Sequence, residues 1–199
     1  MNKYIKYMDE FPEIPEHLIP SIEKIKNSQY FGNHPSVEKL RHPFELKNYS
    51  TRKINQELKE WLVNNFKFDF VALYIIFDAN MLPHKDLRNF TYNYIIDAGG
   101  NNIHTNVFSG EVTSNDVSKW HQVRCENNNI RSELTLLESV CLEEKRWHYL
   151  RTDLNHSVTG DHTHSRVILS LTPVSAIIDN NKIATDWYIE NWKKDNWKC

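Results

Sequence analysis

The sequence predicts a mainly β fold of the α+β class: short strands forming a sandwich or barrel, with helices from the first third laid over it. Three observations lead there. Helical spacing of apolar residues is confined to the region before residue 68, at Leu18, Ile22 and Ile25 and again at Ile54, Leu58 and Leu62. From residue 70 onward the pattern changes to short apolar or alternating runs separated by polar turns. Glycine is scarce, 5 in 199 residues, so most turns fall to Asn and Asp, which tolerate left-handed backbone.

The elements follow in order. Pro12, Pro15 and Pro20 make the opening segment irregular. PEHLIPSIEKIKNS then starts a short helix. STRKINQELKEWLVNNF reads as a second helix, capped by Ser50 or Thr51, with Ile54, Leu58 and Leu62 on one face. FVALYIIF, residues 70–77, is apolar throughout and suits a strand buried on both faces. FTYNYIID (90–97) and IHTNVFSG (103–110) flank the turn AGGNN and read as a β-hairpin. ELTLLESV (133–140) and WHYLRTDL (147–154) are further strands, and SRVILSLTPVSAII (165–178) carries the strongest β signal. KIATDWYIENW closes the chain as a last strand or a capped helix, packed by Trp187, Trp192 and Trp197. A jelly roll is the natural candidate for such a series of strands. The expected layout is a single domain over 1–199: a helical segment at 1–68, a β core at 69–180 and a C-terminal extension at 181–199.

Bulk composition narrows the function classes. Hydrophobic residues make up 40% and charged residues 25%, as in a soluble globular protein. A net charge of −2 gives no electrostatic footprint for nonspecific nucleic-acid binding. The longest apolar run, 70–77, is too short to span a bilayer, and MNKYIKYMDEFPEIP lacks the apolar core of a signal peptide. Cys125, Cys141 and Cys199 form no CxxC pair and read as free thiols in a reducing cytosol, so a cytoplasmic location is expected.

The chemistry concentrates at PHKDLRN, residues 83–89. In extended chain, residues two apart share a face, so His84 and Asp86 aim together. An imidazole and a carboxylate supply two corners of a two-histidine, one-carboxylate triad that leaves metal positions open. The third corner must come from a distant strand, and His148, His156, His162 and His164 are the candidates. His156 lies just past WHYLRTDL, at a sheet rim. Ten residues further on (166 − 156 = 10), Arg166 opens the apolar strand RVILSL. Burying an arginine there is costly without a partner, and a bound dicarboxylate supplies one through a bidentate pair. His162 and His164 make an alternative HxH pair, but ligands there would leave Arg166 too close to the metal to clamp a cosubstrate.

The HxD pair, the distal histidine and the arginine ten residues beyond it resemble the Fe(II)/2-oxoglutarate-dependent oxygenases. PHKDLRNFTYNYIIDAGG and WHYLRTDLNHSVTGDHTHSRVILSL look like the small members of that superfamily found in marine phages and bacteria. The resemblance covers roughly residues 70–172. It implies a double-stranded β-helix and Fe(II) held by His84, Asp86 and His156. It implies 2-oxoglutarate chelating the metal with its far carboxylate on Arg166, O2 at the remaining position, and a hydroxylase reaction. Some relatives carry a serine two residues after the arginine; here Ile168 stands there, and Ser170 on the same strand face is the substitute. Some use a tyrosine about ten residues before the HxD histidine. Tyr74 holds that position, and Asn93 is a second candidate for contacting the cosubstrate. Arg88 faces either an anionic substrate or Asp97.

Each residue also has a plain structural role to weigh. His84 and Asp86 suit a polar turn, His156 a rim histidine, Arg166 a surface ion pair, Tyr74 a core aromatic. Two other functions stay open: a jelly-roll binding or assembly protein without catalysis, and a cupin-type metalloenzyme that does not use 2-oxoglutarate. For the oxygenase, a peptidyl residue, an amino acid or a small metabolite are all eligible substrates, met by loops at 111–132 and 157–164.

Overall fold

The computed structural model describes residues 3–29, 49–78, 80–86, 88–110 and 134–177. Within them, two antiparallel sheets lie over a shared core, consistent with a β-sandwich. The strands are β1 (Ile5–Tyr7), β2 (Tyr49–Arg52), β3 (Phe70–Phe77), β4 (Met81–His84), β5 (Phe90–Asp97), β6 (Gly100–Ser109), β7 (Thr135–Cys141), β8 (Trp147–Arg151), β9 (Asn155–His162) and β10 (Arg166–Pro173). One sheet has six strands in the order β1-β8-β5-β10-β3-β2, the other four in the order β4-β9-β6-β7. From β3 to β10 the pairing is nested: β6 with β7, β5 with β8, β4 with β9 and β3 with β10.

The helices differ in detail from expectation. α1 (Ile22–Asn27) is capped by the Ser21 hydroxyl, after a 3-10 turn at Glu16–Leu18. α2 (Gln56–Asn65) starts later than its apolar spacing suggests. Asn55 is the cap, its Oδ1 accepting from the Leu58 N–H at 2.7 Å, while Ser50 and Thr51 belong to β2. Ile25, Leu58, Leu62 and Phe66 share one apolar cluster with Ala72, Tyr74, Leu169 and Leu171 of the six-stranded sheet. A second cluster lies between the sheets, with Phe77, Ile95 and Ile168 from one and Ile103, Val107 and Val158 from the other. Strand parity decides which cluster a residue joins. On β3, Tyr74 and Ile76 turn to the helices, whereas Ile75 and Phe77 turn between the sheets.

The expected hairpin across AGGNN is overturned. β5 pairs with β10 and β8, and β6 pairs with β9 and β7, so the chain changes sheets at Ala98–Gly99. Gly99 has φ +84°, and a Cβ there would lie 2.7 Å from the Arg166 nitrogen. Only glycine fits this corner against the start of β10. Four strands had no clear signal: β1 and β2, which fall within the expected helical segment yet form the two edges of the six-stranded sheet, and β4 and β9. β4 is a short edge strand containing Pro83, and β9, NHSVTGDH, is polar and carries Gly160. Residues 157–162 are therefore strand rather than loop. No helix among the described residues is long and apolar enough to cross a membrane. The 181–199 extension with its tryptophans, the 111–132 loop, Cys125 and Cys199 lie outside the described residues, and Cys141 is a free, exposed thiol.

Candidate metal centre and anion pocket

β4 and β9 run side by side, and their register sets His84 opposite His156. Past His84 the chain leaves the ladder. The Asp86 N–H donates to the Thr152 carbonyl at 3.0 Å, which fixes where the carboxylate points. The result is a triad: one ligand atom from each of His84, Asp86 and His156 lies within 4.8 Å of the others. His84 Nε2 is 3.7 Å from Asp86 Oδ1, and His156 Nε2 is 4.0 Å from Oδ2. His148, His162 and His164 are not part of it. His164 Nε2 pairs with Asp97 at 2.8 Å, His162 closes β9, and His148 sits on β8 in the other sheet.

The protonation states suit a cation. His156 Nδ1 donates to the Leu154 carbonyl at 3.1 Å, leaving Nε2 as the lone-pair nitrogen. Burial, and then the charge of His84, pushes the His156 imidazole down to about 4, so it is neutral at pH 7. Burial pushes the Asp86 carboxyl up. The Arg88 guanidinium, with His156 and His84, overrides that and holds it well below the usual carboxylate range. Two imidazole nitrogens and a carboxylate oxygen form a donor set for a divalent first-row metal.

Arg166 lies in the same cavity, 1% exposed at the start of β10. Its Nε, Nη1 and Nη2 have no hydrogen-bond partner among the described residues. Phe77 faces the guanidinium at 5.9 Å from its ring centroid, and burial brings the group down to about 10, so it stays charged at pH 7. A buried guanidinium with all three nitrogens unmatched is costly, and a carboxylate meets that need directly. The surface ion pair is thereby excluded as its role.

No protein-family model and no curated protein matches this chain.

The remaining candidates divide by strand face. Asn93 lines the cavity, is buried, and its Oδ1 has no partner among the described residues. Ser170 shares Arg166's face of β10, and its hydroxyl is 3.0 Å from that of Thr91. Tyr74 is a correction: it points to the helical side, so its hydroxyl does not reach the cavity. The match in spacing to His84 hid the parity of β3. Arg88 does not meet Asp97 either. Its Nε and Nη2 donate to Asp86 Oδ2 at 2.9 and 2.8 Å, and Nη1 donates to the Thr172 hydroxyl. Thr172 and Thr91 complete this face: even-numbered positions from Arg166 and odd-numbered ones from Asn93 place both on the cavity side, a parity the sequence carries.

Proposed function

We propose that this protein is a non-haem Fe(II)- and 2-oxoglutarate-dependent oxygenase, a hydroxylase built on a double-stranded β-helix. The observation that carries the reading is one cavity lined by both a His/Asp/His triad and a buried guanidinium that has no hydrogen-bond partner among the described residues. Neither oddity is explained alone, and a metal chelated by a dicarboxylate accounts for both. The nested pairing of β3 with β10, β4 with β9, β5 with β8 and β6 with β7 supports the jelly-roll topology.

His84, Asp86 and His156 would hold the iron, which with 2-oxoglutarate and O2 supplies oxidative decarboxylation to succinate and CO2 coupled to hydroxylation of a substrate C–H bond. The chain's own part is to bind, orient and exclude water. His156 presents Nε2 because its Nδ1–H donates to the Leu154 carbonyl, which fixes the proton on Nδ1. Arg166 anchors the far carboxylate of the cosubstrate, and the Asn93 amide borders the same space. Ile75, Phe77, Leu150 and Ile168 wall the cavity with apolar surface, which strengthens the guanidinium–carboxylate attraction.

The test is spectroscopic. Anaerobic Fe(II) plus 2-oxoglutarate should produce a weak visible charge-transfer band that requires both components, and air should then release succinate. Metal binding that ignores 2-oxoglutarate would instead assign a cupin-type metalloenzyme. Neither band nor turnover would assign a binding or assembly protein.

A further inference from the structure

We propose that Arg88 is a positioning residue that makes Asp86 a one-oxygen metal ligand and so keeps a coordination position free for the cosubstrate. The inference rests on the metal reading above. A carboxylate can meet a cation through one oxygen or both. Here Oδ2 is taken by two N–H groups of one guanidinium, Nε at 2.9 Å and Nη2 at 2.8 Å. Oδ1 lies 3.7 Å from His84 Nε2 and Oδ2 lies 4.0 Å from His156 Nε2; with Oδ2 held by the guanidinium, Oδ1 is the oxygen left for a cation. A charge-assisted fork of this kind is short, directional and hard to displace.

The guanidinium is itself held. Its third nitrogen, Nη1, donates to the Thr172 hydroxyl, which lies 3.3 Å from the Thr91 hydroxyl in the buried layer below. The Arg88 backbone is pinned too: its carbonyl accepts from the Thr152 hydroxyl at 2.8 Å, and the residue bridges Ile177. Thr172 and Arg166 occupy the same face of β10, so one strand carries both the brace for Asp86 and the anchor for the anion. These contacts engage the Arg88 side chain from within, which favours bracing over a direct meeting with substrate. Lysine keeps the charge and loses the fork, so it separates bracing from simple neutralisation.

The experiment uses Co(II), whose visible absorption reports coordination number, on the full chain without activity assays. Wild type, Arg88→Lys, Arg88→Ala and Thr172→Val are titrated with Co(II), then with 2-oxoglutarate. Both Arg88 variants should bind Co(II) about 10- to 100-fold more weakly, as losses of outer-shell partners do. Their Co(II) spectra should differ from wild type and respond less to 2-oxoglutarate. Thr172→Val should move in the same direction by a smaller factor, and it keeps the test intact if Arg88→Ala fails to fold. Wild-type affinity and spectrum in Arg88→Lys and Thr172→Val would overturn the inference while leaving the metal centre standing. Absence of Co(II) binding by the wild type would overturn both.

Discussion

His84 and His156 are cross-strand neighbours on β4 and β9, with ring centroids 4.3 Å apart. Two imidazoles so close, one of them almost wholly buried, gain little from each other and much from a shared cation. His156→Ala should lower divalent-metal affinity by at least about 100-fold, beyond the usual loss for an outer-shell change. Calorimetric titration with Mn(II) or Fe(II) measures it. Unchanged affinity would remove His156 from the ligand set.

The proposed anchor role of Arg166 implies a trade of stability for binding. Three buried guanidinium nitrogens with no partner among the described residues destabilise the ligand-free protein. Arg166→Met should therefore raise the stability of the metal-free, cosubstrate-free form by about 1–3 kcal/mol in urea unfolding. The same change should weaken 2-oxoglutarate binding by more than about tenfold while metal affinity stays near wild type. A parallel fall in metal affinity and stability would mark Arg166 as a folding residue instead.

Acid should weaken the fold through His148. Burial holds this imidazole down to about 4, with the neighbouring Arg166 and Arg146 acting the same way and the Asn93 carbonyl and Glu143 opposing. An unfolded histidine titrates near 6.5, so the unfolded chain binds more protons between those values. The stability contribution is complete above about pH 6.5 and is lost as pH falls towards 4. Between pH 7.5 and pH 5 the wild type should lose about 2 kcal/mol more than His148→Phe. Equal losses in the two proteins would count against this site as a source of the slope.

Tyr74 gives the opposite kind of prediction. Its buried hydroxyl faces the helices, has no partner among the described residues, and burial raises its pKa. Tyr74→Phe should change stability by less than about 1.5 kcal/mol and leave 2-oxoglutarate affinity alone. A loss of affinity beyond tenfold would return the tyrosine to the cavity.

Legibility followed the range of the forces involved. FVALYIIF and FTYNYIID coincide with β3 and β5 because each carries a strong β pattern within its own length. β9 was hidden because its neighbours β4 and β6 stabilise it, and its own residues are polar. AGGNN has hairpin chemistry, but partner choice is long-range, and β10 and β9 outcompeted the local pairing. The triad was readable because His84 and Asp86 sit two residues apart and His156 lies ten residues before an arginine that opens an apolar strand. The Arg88–Thr172 contact joins residues 84 apart in the chain, and no local pattern announces it.

The two histidines of the triad stand 72 residues apart in sequence (156 − 84 = 72) yet share a ladder. A cation gripped by both is a clasp across the chain, present only while β4 and β9 remain zipped. Binding and folding then draw on one free energy, and each tenfold excess of free metal over its dissociation constant adds about 1.4 kcal/mol to the native state. Under the iron chemistry proposed above, iron starvation would loosen the architecture as well as silence the chemistry.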